Sequence, residues 1–270
     1  MAWVLRGLRE GIVTTRYPKR ADGYGASFKG AVSVTGDRPQ AAVRSARAEP
    51  NADAGLSSLC PTGAIEERSD EVVLDRGRCI LCGRCVEARP DRFRFEASAE
   101  VATLHRSGLF VPDRAESDEE LDLIRAELST KVRALRRSVH VRHLDAGSDG
   151  SEEWEVAALL NPVYDVQRLG IFFTATPRHA DLLLVTGAGT AAMCGPLRTT
   201  YEAMPAPKIV LAAGTDAISG GLLSPGYAVR DGVGSTVPVD VFVPGSPPSP
   251  FSLLHGILLA VGLLPGQGAR

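Results

Sequence analysis

Five short, almost uninterrupted apolar runs in the second half of the chain constrain its fold more than any other feature. They are SVHVRHL (Ser138–Leu144), GIFFTAT (Gly170–Thr176), DLLLVTG (Asp181–Gly187), KIVLAAG (Lys208–Gly214) and VPVDVFVPG (Val237–Gly245). A strand with one wetted face alternates apolar and polar side chains, whereas the Leu182–Val185 run keeps no side for water. Strands of this kind are covered on both faces. Helical stretches such as Thr190–Met204 separate them, so the pattern predicts an α/β domain built on a parallel, flavodoxin-like sheet. In such sheets the loops leaving the carboxyl ends of the strands build the functional site. The informative positions are therefore those just after Leu144, Gly187, Gly214 and Val243. Gly187 opens GAGT, a weak dinucleotide signal without a full G-x-G-x-x-G and a later acidic residue.

The first half reads differently. From Arg16 to Ser57 it is rich in Gly, Ala, Arg and Asp and shows no sustained periodicity beyond a short strand pattern at Ala31–Val34. Between Asp113 and Arg137 helical spacing takes over: Ser117 and Glu120 form a capping box, and Leu121, Ile124, Leu128, Val132 and Leu135 follow on one face. The expected organisation is a loop-rich α+β, ferredoxin-like first domain over residues 1–115, a connecting helix over 116–137 and the α/β domain over 138–270.

Four of the five cysteines fall in the first domain. Cys79, Cys82 and Cys85 are spaced C-x2-C-x2-C, and Cys60 stands upstream before Pro61. In two-cluster ferredoxins the run C-x2-C-x2-C-x3-C-P occurs twice, and the fourth cysteine of each run ligates the other cluster. Cys60 is then the fourth ligand for Cys79, Cys82 and Cys85. The ligands of the second cluster would fall at Pro50, Asp53, Leu56 and Arg89, and all four are absent together. The spacing predicts one 4Fe-4S cluster held by Cys60, Cys79, Cys82 and Cys85. Zinc is the alternative that a set of four thiolates leaves open, although zinc sites usually show paired knuckles. Cys194 has no cysteine neighbour in sequence and is expected to be a buried thiol.

The bulk properties exclude some classes. A formal net charge of −2 over 270 residues gives no general pull toward nucleic acid. The run Leu253–Leu264 is about half of what a bilayer span needs and reads as a buried helix. The N-terminal MAWVLRGLREGIV is too charged for a signal-peptide core, so the chain is expected in the cytoplasm, where clustered thiols favour metal over disulfides. Its amphipathic pattern suits a membrane surface, a partner helix or the chain's own domain.

The motifs also carry a family resemblance. GIVTTRYP (Gly11–Pro18), FKG (Phe28–Gly30), CPTGAI and CILCGRC resemble the ferredoxin-like subunit of formate hydrogenlyase and respiratory complex I. From Ser138 onward, GSDGSEEWEVAALLNPVYDVQRLGI, PRHADLLLVTG, YEAMPAPK, AAGTDAISGG and VPVDVFVPGSPPSP resemble the family of complex I B-type subunits and group 4 nickel-iron hydrogenase small subunits. The chain reads as a fusion of two such subunits. The resemblance implies an electron-transfer subunit, peripheral to the cytoplasmic membrane through its complex, with a hydrogenase-like or complex I-like large subunit as direct partner and membrane subunits nearby. A structural or assembly role is the other reading. The family's second-domain cluster ligands map to Asp149, Glu152, Asp216 and Ser246, none of them cysteine. Oxygen ligands suit such a cube poorly, so that domain is expected to hold no cluster. The carboxylates are expected to be solvated or paired with arginines, with Arg142 and Arg178 nearest in sequence; a hard cation or a proton relay are the alternatives.

Overall fold

The computed structural model describes residues 2–20, 23–24, 28–35, 55–68, 71–112 and 138–264. The helix expected over 116–137 lies outside the described residues. In the first part, α1 (Ala2–Glu10) precedes β1 (Lys29–Val34), β2 (Ile65–Arg68), β3 (Glu71–Asp75), α2 (Arg84–Ala88), β4 (Phe93–Ala97) and β5 (Phe110–Val111). Strands β1 and β4 pair antiparallel, and β2, β3 and β5 form a second antiparallel sheet. Their apolar faces close on a small core of Val32, Leu56, Ile65, Leu74 and Phe93, in which Cys79 and Cys85 are themselves buried. Two thiols of the cysteine loop are thus built into this core, while Cys82 stays exposed at its rim and Cys60 is half-buried, in the ferredoxin-like arrangement.

The second part carries β6 (Val139–Asp145), α3 (Ser151–Ala158), β7 (Ile171–Phe173), β8 (Leu182–Thr186), α4 (Cys194–Ala203), β9 (Ile209–Ala213), α5 (Thr215–Ser219), β10 (Val241–Val243) and α6 (Pro250–Ala260). The five strands form one parallel sheet in the order β10-β9-β8-β6-β7. Counted within the domain this is the 2-1-3-4-5 order of flavodoxin-like sheets, whose switch point lies between β6 and β8. Leu182 and Leu184 face a layer formed by α3 and α6, while Leu183 and Val185 face the layer of α4 and α5. Coverage on both faces is the reason for the uninterrupted apolar runs.

Some elements are shorter than the runs that signalled them. The last strand is confined to Val241–Val243, because Val233–Ser235 form a 3-10 turn and Pro238 donates no ladder bond. The helix expected from Thr190 begins at Cys194 after a 3-10 turn at Ala191–Met193, which keeps Pro196 within the first helical turn where its missing N–H costs nothing. Helix α6 is buried along its whole length, as expected, and Ser249 caps it by accepting the Ser252 amide at 3.2 Å. Among the described residues no helix is long and apolar enough to cross a membrane.

Several contacts join the two parts. Thr103 exchanges two backbone hydrogen bonds with Phe242 at 2.9 and 2.8 Å, covering the open edge of β10. The Ala102 amide donates to His255 Nδ1 at 3.2 Å. At the N-terminus the Thr15 amide donates to the Val163 carbonyl and Arg168 to the Tyr17 carbonyl, both at 2.8 Å. The ring of Phe251 gathers Tyr17, Tyr24, Phe28 and Tyr164, with centroids between 4.9 and 6.3 Å away.

Candidate functional site

The four predicted ligands come together. Cys60 follows the 3-10 turn Leu56–Leu59, Cys79 and Cys82 lie on the loop from β3 to α2, and Cys85 sits in the first turn of α2. All four line one pocket with Val32, Leu59, Ile65, Leu74, Ile80 and Gly83. The loop bends inward through two left-handed residues, Leu81 at φ 55° and Gly83 at φ 81°. Such turns aim successive amides into the concavity. The Ala64 amide donates to Cys60 Sγ at 3.2 Å, the Leu81 amide faces Cys79, and the Val86 amide faces Cys85.

Electrostatics make the same point. Burial pushes the Cys79 thiol up to about 12, with Cys85, Cys60 and Cys82 adding to the rise, and burial likewise raises Cys85. The pocket wall contains no basic side chain. Thiolates crowded in an apolar pocket need a positive metal centre to coexist, and metal binding would expel their protons. The donor set and the inward amides fit an iron-sulfur cluster. Among the described residues no group of three or more His, Cys, Asp or Glu side chains is arranged to hold a single metal ion.

Two features hold the loop that sequence reading did not find. Asp75 is buried and receives both arms of the Arg106 guanidinium, at 2.8 and 2.6 Å, along with the Gly77 amide at 2.9 Å. Thr215, at the start of α5 in the other part, donates its hydroxyl to the Cys79 carbonyl at 3.0 Å. Gly77 permits this approach, since a Cβ there would meet Ile218 and Arg106 atoms at 2.9 Å. The partners lie 31 and 136 residues apart, and no local pattern marks them. Of the absent second set, Arg89 pairs with Asp91 at 2.8 Å and Leu56 is core; Pro50 and Asp53 fall outside the described residues.

The replaced positions behave less uniformly than expected. Asp149, Glu152 and Asp216 are electrostatically coupled at the ends of β6 and β9, whereas Ser246 stands exposed on the turn after β10. Asp149 is exposed, and the Ser151 hydroxyl and amide, at 2.6 and 2.9 Å, hold its carboxyl below the usual range. Glu152 is buried, and its carboxyl is pushed up to about 7 by burial, with the Asp216 and Asp149 charges adding to the rise. Burial and the Asp149 charge raise Asp216 as well. Both lie against glycines: a Cβ on Gly214 would meet Glu152 Oε1 at 2.8 Å, and one on Gly221 would overlap Asp216 Oδ1.

The expected arginine partners are not there. Among the described residues no ion pair joins Arg142 or Arg178 to these carboxylates, and Arg142 Nε is buried without a hydrogen-bond partner. Arg142 is carried on β6 next to His143, and the pleat puts neighbouring side chains on opposite faces of the sheet. Cys194 is half-buried rather than buried, taking a hydrogen bond from Thr236 at 3.4 Å.

At the switch point itself lies a network that no sequence pattern announced. His143 Nε2 meets Thr186 Oγ1 at 2.9 Å, Thr186 donates to Glu153 Oε1 at 2.5 Å, and Ser148 donates to Glu153 Oε2 at 2.7 Å. Burial lowers the His143 pKa. This network fixes the turn that carries Asp149. A separate cleft of about 180 Å³ is lined by Leu81 of the cysteine loop, by Gly245 and Pro247 on either side of Ser246, and by Lys29 and Glu155.

A family model described as NADH ubiquinone oxidoreductase, 20 Kd subunit, matches residues 150–260. A 4Fe-4S single cluster domain model matches residues 72–127. The second segment contains Cys79, Cys82 and Cys85, while Cys60, which lines the same pocket, lies outside it. The chain is 41% identical over 147 residues to formate hydrogenlyase subunit 7 of Escherichia coli, covering 54% of this chain and 56% of the relative. It is 36% identical over 145 residues to the probable membrane-bound hydrogenase subunit mbhJ of Pyrococcus furiosus, covering 54% of this chain and 87% of that protein. Against the B-type subunit of NADH-quinone oxidoreductase from Geotalea daltonii the identity is 46%, over 35% of this chain and 55% of the relative. The chain thus spans about half the length of the first and third of these relatives.

Proposed function

The chain belongs to the NADH ubiquinone oxidoreductase 20 Kd subunit family, and on that premise we propose that it carries single electrons as an iron-sulfur subunit of a membrane-associated complex I-like or group 4 hydrogenase-like assembly. The observation that carries this reading is the single apolar pocket walled by Cys60, Cys79, Cys82 and Cys85. When bound there, one 4Fe-4S cluster supplies reversible one-electron transfer at a potential set by its thiolates, amide donors and exposure to water. The four thiolates hold it, and the amides of Ala64, Leu81 and Val86 offset sulfur charge. Asp75 and Arg106 keep the loop in position.

The second domain, taken as residues 138–270 after a first domain of 1–115, has no part in ligation in this reading. Glu152 and Asp216 pack onto glycines at the family's cluster position and present oxygen rather than sulfur. The partners are a hydrogenase-like or complex I-like large subunit and membrane subunits of the same complex, with the chain on the cytoplasmic side. The chain has no catalytic centre of its own and no role with nucleic acid.

The test is Cys82→Ser in the native complex. The expected outcome is assembly with loss of the cluster's reduced-state electron paramagnetic resonance signal and loss of electron flow through the complex. Full turnover without the signal would instead assign the chain a structural role.

A further inference from the structure

Helix α1 is the one amphipathic element that the described fold leaves uncovered. At 100° per residue, Trp3, Gly7, Val4, Leu8 and Leu5 follow one another round one side, while Arg9, Arg6 and Glu10 occupy the other. The apolar side is open: Trp3 is 79%, Leu5 68% and Leu8 76% exposed, and Ile12 just beyond the helix is 86% exposed. The charge around it is one-sided. Residues 2–20 hold five basic residues (Arg6, Arg9, Arg16, Lys19 and Arg20) against the single acid Glu10, in a chain whose net charge is −2. Arg6 reaches Glu10 at 2.8 Å along the polar side, which leaves the apolar side without charge.

We infer that α1 lies flat on an anionic bilayer surface, with its apolar side at the boundary of the acyl chains and its arginines among the headgroups. A groove in a protein partner needs only the apolar stripe. The excess of cations beside that stripe complements an anionic lipid surface. The helix is rooted in the second domain a few residues later, through Thr14 to the Pro162 carbonyl at 2.8 Å, Thr15 to Val163 and Arg168 to Tyr17. Lipid contact would therefore orient the α/β domain relative to the bilayer. This goes beyond membership of a membrane complex, because the contact is made by the chain itself and does not depend on the cluster.

The chain has two tryptophans, so a Trp154→Phe variant of the full, cluster-loaded protein reports on Trp3 alone. Its emission would be followed on adding vesicles of phosphatidylcholine, with or without phosphatidylglycerol. The expected result is a blue shift and protection from acrylamide with the anionic vesicles only, weakened by salt. Leu5→Glu with Leu8→Glu should abolish the shift, and Arg6→Gln and Arg9→Gln should weaken binding about fivefold for each charge removed. Iron content, measured alongside, should be the same in every variant. Absence of a shift with anionic vesicles, an equal shift with neutral ones, or unchanged binding by the double glutamate variant would overturn the inference. None of those outcomes bears on the cluster, whose iron and spectra are read separately.

Discussion

At the scale of single residues, Glu152 is the most exposed to test. Its carboxyl titrates near 7 in the folded protein instead of the ordinary 4.5, because burial and two neighbouring carboxylates disfavour its charge. Below the lower value both folded and unfolded chains are protonated. Between the two values the folded chain keeps a proton that the unfolded chain has released, so stability falls as pH rises through this window, by up to about 3 kcal/mol. Asp216 is raised in the same sense and adds to the fall. Glu152→Gln should flatten the decline in melting temperature between pH 5 and pH 7.5. The same slope in both proteins would show that the carboxyl is solvated. The grouping of the four cysteines, by contrast, was legible from spacing alone, and all four line one pocket. The neighbours of Glu152 were not legible. Which arginine meets which carboxylate depends on the strand pleat and the loop that follows, and Arg142 on β6 shows how a short sequence distance fails to become a contact.

Elements show a similar division. The five apolar runs marked the parallel strands because both faces are covered, and the strand order placed the switch point between β6 and β8. Their ends were harder to read: Pro238 and the 3-10 turn at Val233–Ser235 cut the last strand to three residues. The N-terminal arm had no periodicity because its order comes from contacts made far along the chain, chiefly the four rings around Phe251. That arrangement makes a prediction. Phe251→Ala removes a fully packed ring at the meeting point of both parts and should cost about 3–5 kcal/mol. It should also open residues 11–20 to limited proteolysis, read by mass spectrometry. An unchanged digestion pattern would mean that the arm is held by its backbone bonds alone.

In the molecule as a whole, two joined units divide the work unequally. The first gathers four thiols, with inward amides and a half-buried Asp75–Arg106 pair steadying the loop. The second carries a five-stranded parallel sheet, near whose strand ends Glu152 and Asp216 pack on glycines. Contact between the units is direct, since Thr215 beside Asp216 holds the Cys79 carbonyl. The central claim is therefore one cluster per chain, in the first unit only. Iron and acid-labile sulfide should be counted on anaerobically purified protein, with spin integration of the reduced state. One cluster predicts about four irons, about four sulfides and one unpaired spin per chain. Twice that iron with two interacting spins would contradict it, as would zinc without sulfide.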